Sequence, residues 1–228
     1  MKRGFEFGGI EFELAGDTAL YWPSQAALLL SDLHLEKASA YAAGGQMLPP
    51  YDSLSTLEHI SDLVAEFRPE MVISLGDNFH DSDGEHRLDG DAADILQRLT
   101  RSTRWLWITG NHDPEIGGKW GGQSIAETKI DSMILRHQAK AGEELPEISG
   151  HFHPKFRRVI KGRMVSRRCF VKCRRKLIMP AFGALTGGLD VSDNAIGHAC
   201  DLQHSEIAEA LVPMRDGLAR FQIEKIRT

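Results

Sequence analysis

The sequence predicts an α/β fold, and three observations carry that expectation. Residues 26–31 and 70–75 are nearly continuous apolar runs, as in strands covered on both faces. Residues 52–67 and 87–100 place apolar side chains at helical spacing. Strand-like and helix-like segments therefore alternate, as in a sheet with helical connections. At 228 residues the chain is long for one domain and short for two, so one elaborated domain over 1–228 is expected.

Taken in order, residues 4–14 alternate, with Phe5, Phe7, Ile10, Phe12 and Leu14 between polar or glycine neighbours, and read as strand. Residues 18–22 and 26–31 read as further strands. The helix over 52–67 has Asp52 or Ser53 as its cap, an apolar face of Leu54, Leu57, Ile60, Val64 and Phe67, and a stop at Arg68-Pro69. A strand at 70–75 leads to the helix over 87–100, whose face is Leu88, Ala92, Ile95, Leu96 and Leu99. Strands are expected at 104–109, 132–136 and 145–149, then at FRRVI, SRRCFVK and KLIMP, with a turn at Lys161-Gly162-Arg163. The glycine-rich stretch 180–191 is too compact for a linker, and the tail reads as a short helix near 202–212 and a strand near 219–226.

Composition narrows the class. The hydrophobic fraction of 42% and aromatic fraction of 7% are ordinary for a soluble globular protein. No apolar run at the N-terminus has signal length, and AALLL at 26–30 is far too short to span a bilayer, so no membrane partner is expected. Cys169, Cys173 and Cys200 are odd in number and do not make a disulfide framework, which fits a reduced, cytoplasmic setting. Cys169 and Cys173 lack the second pair that a tetrahedral zinc site needs and read as half-buried thiols. The net charge of −5 is unevenly spread: residues 155–176 hold eleven Lys or Arg and no acid, leaving 16 basic against 32 acidic residues elsewhere. That block reads as a polyanion-binding face on an acidic body.

Four motifs carry the chemistry: LLLSDLHLEK (28–37), VISLGDNFHD (72–81), LWITGNHDP (106–114) and PEISGHFHP (146–154). Each stands at the end of a hydrophobic strand, where ligands gather in α/β sheets. They supply Asp32, His34, Asp77, Asn111, His112, His151 and His153. Hard oxygens and imidazoles in that number suit a pair of divalent cations, with one histidine left for proton transfer. Gly76 and Gly110 each precede a ligand and allow close backbone approach. A lone Asp-x-His is weak evidence; all four motifs in this order are specific.

With DLH, GDNFHD, GNHD and GHFH in place, the chain resembles the calcineurin-type metallophosphoesterases. Within them it is similar to the bacterial ligase-associated DNA-damage-response endonucleases, through HLEKASAYAAGGQMLPPYDS (34–53) and CFVKCRRKLIMPAFGALTGGLDV (169–191). The resemblance covers about residues 15–192 and leaves 193–228 unaligned. It implies a β-sandwich flanked by helices in four layers, αββα. It also implies one cation held by Asp32, His34, Asp77 and His153, and a second held by Asp77, Asn111, His137 and His151. His137 comes from the nearly featureless MILRHQA (133–139), for which a surface histidine is the plain alternative.

Two cations about 4 Å apart can clamp the attacking and leaving oxygens of a phosphoryl transfer, and a bridging water becomes hydroxide near neutral pH. The resemblance gives His112 the role of general acid, worth about 10²–10⁴-fold in rate. Many relatives carry an orienting aspartate three residues after the bridging carboxylate. Here that position is His80, so His80, Asp81 and Asp113 all stand as candidates. A mixed Asp, His and Asn shell favours Mn²⁺ or Fe²⁺ over Mg²⁺; Zn²⁺ is compatible, and the resemblance implies manganese.

The basic block begins just after His153, which makes Lys155, Arg157, Arg158, Arg167 and Arg168 candidate nucleic-acid contacts. Strand alternation places Arg157 opposite Arg158 and Arg167 opposite Arg168, so only some face one ligand. Few aromatics accompany them, so contacts would be to the backbone and steeply salt-dependent. The resulting expectation is a manganese-dependent DNA endonuclease and phosphodiesterase of DNA repair. Association with a ligase or helicase is implied by resemblance alone. The alternatives are a phosphodiesterase or phosphatase for small nucleotides and a scaffold that has lost catalysis; retention of His112 and every expected ligand speaks against the latter.

Overall fold

The computed structural model describes residues 4–116, 118–202 and 207–223, with Ile160 as backbone alone. The first sheet runs in sequence order. It comprises β1 (Gly4–Phe7), β2 (Ile10–Ala15), β3 (Ala19–Trp22), β4 (Ala27–Leu30), β5 (Met71–Leu75), β6 (Arg104–Ile108) and β7 (Gln123–Ile125). Pairing is antiparallel from β1 to β4 and parallel from β4 to β7. There follow β8 (Glu127–Ile130), β9 (Met133–Arg136), β10 (Glu147–Ser149), β11 (Lys155–Ile160), β12 (Arg163–Arg168), β13 (Phe170–Lys172), β14 (Lys176–Ile178), β15 (Ala208–Met214) and β16 (Gly217–Ile223). The second sheet has the order β16-β15-β13-β14-β10-β9-β8, and β11 and β12 form a separate antiparallel hairpin.

The helices are α1 (Lys37–Ala43), α2 (Asp52–Phe67), α3 (Gly84–Arg87), α4 (Gly90–Ser102) and α5 (Asn194–Ala199). Three apolar layers result. Phe5, Phe12, Leu29, Leu135, Ile148 and Phe170 fill the space between the sheets. Leu57, Ile60, Leu96 and Leu99 seat α2 and α4 on the first sheet, beside Trp105 and Trp107. Ile196 and Ala199 of α5 cover the second sheet at Val171 and Ala210. This is the four-layer α/β arrangement expected, with one small helix on the second sheet.

Several local expectations are corrected. Asp89 is extended and splits the helix expected over 87–100 into α3 and α4. Asp52 and Ser53 do not cap α2. They serve α1 instead, with Ala38 N donating to Asp52 Oδ2 (3.0 Å) and Glu36 N to Ser53 Oγ (2.8 Å). Residues 208–212, expected to be helical, lie in β15, because β13 offers an open edge that pairs Phe170 with Leu211. Pro213, near the end of β15, would also have interrupted a continuing helix. Residues 203–206 and 224–226 of the expected tail elements lie outside the described residues. The short polar strands β7 and β8 give no apolar signal and were not expected. Cys169 and Cys173 are fully buried rather than half-buried, Cys200 is buried too, and burial pushes the Cys169 thiol up to about 12. Among the described residues no helix is long and apolar enough to cross a membrane.

Candidate metal centre

The ends of both sheets meet at one edge of the sandwich. Asp32 and His34 follow β4, Asp77 follows β5, Asn111 and His112 follow β6, His137 follows β9, and His151 and His153 follow β10. Ligand atoms of Asp32, His34, Asp77 and His153 all lie within 4.8 Å of one another, as do those of Asp77, His137 and His151. Asn111 joins the second group, its Oδ1 being 3.0 Å from His137 Nε2 and 2.9 Å from His151 Nδ1. Asp77 belongs to both groups: Oδ2 is 3.7 Å from His34 Nε2, and Oδ1 is 3.4 Å from His137 Nε2.

The donors fit cations better than they fit one another. His137 Nδ1 lies 2.9 Å from the Leu75 carbonyl, to which it donates, so Nε2 carries the lone pair. That lone pair faces the Asn111 carbonyl oxygen, an acceptor-to-acceptor contact that a cation between them resolves. Pinning the far nitrogen to a carbonyl is also how proteins fix the tautomer of a metal-ligating histidine. In the other group His34 Nε2 and His153 Nε2 are 3.3 Å apart. Burial pushes the His34 imidazole down to about 3, and burial with His137 nearby lowers His151, which favours the neutral rings that ligation requires. Burial raises the Asp32 carboxyl, but hydrogen bonding and charge from His153, together with His137 and Ser31, outweigh it and hold Asp32 below its ordinary value.

The local backbone is strained to bring these groups together. Asp32, His34, Asp77, His151 and His153 all have positive φ, from 45° at His34 to 72° at His151. Such conformations cost roughly 1–3 kcal/mol each and persist where surrounding structure over-determines them. The determinants are visible. His151 N donates to both oxygens of Asp32 (3.1 Å each), Ser31 Oγ donates to Asp32 Oδ2, and His112 N donates to Asp77 Oδ1 (3.0 Å). A Cβ at Gly110 would overlap the Asp77 carboxylate, and one at Gly150 would overlap Ser31 Oγ and Asp32.

His112 stands over the cluster with its side chain 39% exposed and Nε2 4.0 Å from Asp77 Oδ2. Its Nδ1 is 2.8 Å from the backbone carbonyl of His80. The partner left open by the sequence is therefore a main-chain oxygen. Asp81 is paired with Arg87 Nη2 (2.8 Å). Asp113 is buried and accepts from Gly110 N, Asn78 N and Phe79 N; burial pushes its carboxyl up to about 6.

A family model described as calcineurin-like phosphoesterase matches residues 27–159, which span every one of these candidate ligands. The chain belongs to the calcineurin-like phosphoesterase family. The family is one of phosphoester hydrolases that use divalent metals, and the Asp and His clusters here could hold metal. Among solved structures, this phosphoesterase is similar to the Pseudomonas putida nuclease MPE, with 26% identity and a TM-score of 0.71 over 92% of this chain and 96% of that one. Yfce, a phosphoesterase from E. coli, matches with 14% identity and a TM-score of 0.42 over 86% of this chain and 97% of that one. No curated protein sequence is significantly similar.

The basic hairpin of this phosphoesterase divides its charges by face, as alternation requires. Cross-strand pairs place Lys155 opposite Arg168 and Phe156 opposite Arg167. One face turns to the glycine-rich segment. Arg168 donates to the carbonyls of Phe182 (3.2 Å) and Gly183 (2.7 Å) and to Thr186 Oγ1 (2.9 Å). Lys155 Nζ reaches Thr186 O (3.4 Å), and Arg157 Nη2 donates to Gly188 O (3.0 Å). Arg168, read from the sequence as a nucleic-acid contact, is thus engaged within the protein. Arg158 and Arg167 are exposed on the other face, where Phe156 stacks on Phe221 with centroids 4.3 Å apart.

The glycine-rich segment had no assigned role, and its contacts supply one. Phe182 N donates to Ser31 O (2.7 Å) and Gly183 N to Asp32 O (3.1 Å), while a Cβ at Gly183 would overlap Leu33 O. The segment clamps the Asp32 loop, and Arg168 holds the clamp shut. Spacing alone could not reveal this, because the partners are backbone atoms about 150 residues away in sequence.

Proposed function

We propose that the chain is a manganese-dependent phosphodiesterase acting on DNA as an endonuclease, in DNA repair. The observation that carries the reading is a pair of ligand groups sharing Asp77, with His112 placed above them. Asp32, His34, Asp77 and His153 would hold one divalent cation, and Asp77, Asn111, His137 and His151 the other. When bound, the cations supply Lewis-acid polarisation of the phosphate and lower the pKa of water. Asp77, His34 and the other ligands fix where the phosphate can sit. His112 keeps its Nδ1 proton on the His80 carbonyl, and its Nε2, when protonated, donates to the departing alkoxide.

Nucleic acid as substrate is supported by likeness to a structure described as a nuclease and by the outward cations Arg158 and Arg167. The half-exposed His112 and the exposed Asn111 suit a phosphate within a bulky chain. The test is Mn²⁺-dependent nicking of circular single-stranded and supercoiled DNA, beside hydrolysis of bis-p-nitrophenyl phosphate, for wild type and His112→Ala. Wild type is expected to cut DNA, and the variant to lose about 10²–10⁴-fold of that rate. Hydrolysis of the small diester with DNA left intact would retain the site and reject the substrate.

A further inference from the structure

Behind His112 the aromatic rings continue. His112 and His80 stack with centroids 5.2 Å apart and 22° between planes, and His80 stacks on Tyr41 at 5.8 Å and 29°. The row ends at a surface pocket of about 350 Å³ lined by Ala40, Tyr41, Gly44, Gln46, His80 and Asp81. Tyr41 is 37% exposed, so core packing does not account for its ring.

Arg87 ties the two walls of the pocket together. Arg87 Nε donates to Ser39 Oγ on α1 (3.0 Å), and Arg87 Nη2 donates to both oxygens of Asp81 (2.8 Å each). Ser53 and Asp52 hold the start of α1 from the other side. Arg87 also offsets the charge of Asp81, which would otherwise repel a phosphate. Lys37 Nζ, 6.0 Å from the Tyr41 centroid, adds a further positive charge. An aromatic wall, an amide at the rim and cations nearby match a flat heteroaromatic ring carrying a phosphate.

We propose that this pocket is a nucleobase subsite, holding against Tyr41 a base on the leaving-group side of the scissile phosphate. The inference rests on the phosphodiesterase reading and on His112 standing at the departing oxygen, because the row of rings leads away from Asp77 through His112. Tyr41 contributes stacking, and Gln46 lies where its amide can reach the base edge. Stacking serves any base, so the subsite selects for the presence of a base and not for its identity.

Two measurements test it. The first uses wild type and Mn²⁺ with oligodeoxythymidylate carrying one abasic position, mapping cuts on either side of it. The linkage whose departing oxygen belongs to the abasic nucleotide should be cut about tenfold more slowly than its counterpart in the intact strand. Tyr41→Leu should erase that difference, and Tyr41→Phe should keep it. The second reads the fluorescence of a 2-aminopurine oligonucleotide bound without metal. Wild type and Tyr41→Phe should quench it by stacking, and Tyr41→Leu should not. Thermal melting checks the fold of each variant, and the wild-type abasic comparison stands whatever the variants do. Equal cutting at abasic and intact positions, with unquenched fluorescence, overturns the subsite and leaves the endonuclease reading standing. Absence of any oligonucleotide cleavage or binding by wild type overturns both.

Discussion

The ligand loops and the β11–β12 hairpin lie next to each other in the chain and are built by opposite means. In the ligand loops, strained backbone, absent side chains and buried hydrogen bonds fix each residue from several directions. In the hairpin, regular cross-strand pairing fixes only the alternation of faces, and Val159 and Met164 are exposed at 63% and 66%. Over-determination holds the candidate ligands in one arrangement. A self-paired hairpin needs only to present charge, so its residues tolerate exchange where they face outward.

The largest effect is expected from Gly150→Ala. The new methyl group would displace Ser31 and Asp32, weakening Mn²⁺ binding by about 10–100-fold and costing about 1–3 kcal/mol of stability. Isothermal titration with Mn²⁺ and thermal melting read the two losses; unchanged values for both would show that the loop yields and is not over-determined. Next comes Arg168→Ala, the hairpin residue that behaves as part of the ligand loops. Losing its bonds to Phe182 O and Gly183 O should cost about 1–3 kcal/mol in urea unfolding and loosen the clamp on Asp32. A neutral result would place Arg168 with its outward neighbours and move the line between the two regions. The smallest effect belongs to Arg167→Ala, one residue away on the opposite face. Stability should stay within about 0.5 kcal/mol, while the salt dependence of oligonucleotide binding should shallow by about 0.7 in log–log slope. An unchanged slope would remove Arg167 from the nucleic-acid contacts.

The gathering of the candidate ligands was legible in sequence because short motifs behind apolar strands carry their own positions. Asp32, His34, Asp77, Asn111, His151 and His153 stand where four strand ends place them. His137 gave almost no local signal; its place beside His151 follows from β9 running parallel to β10, and its place beside Asn111 from the packing of the two sheets. The partner of His112 was narrowed to three candidates that include His80, but not to its main-chain carbonyl, which leaves no residue type to read. Arg167 and Arg168 are the same residue type on opposite faces, which alternation foretold, though not which of the two would face inward.

By itself, then, the sequence determined most of the apolar strands, the long helix α2, the residue types gathered in the candidate site and the alternation of the hairpin. These follow from periodicity and residue chemistry, which act over a few neighbours. Tertiary structure decided the rest: which carbonyl orients His112, that the glycine-rich segment clamps Asp32, that residues 208–212 pair as strand, and that Tyr41 and Asp81 face one pocket. Each of those depends on backbone atoms or surfaces distant in the chain, whose encounter is set by how the two sheets pack.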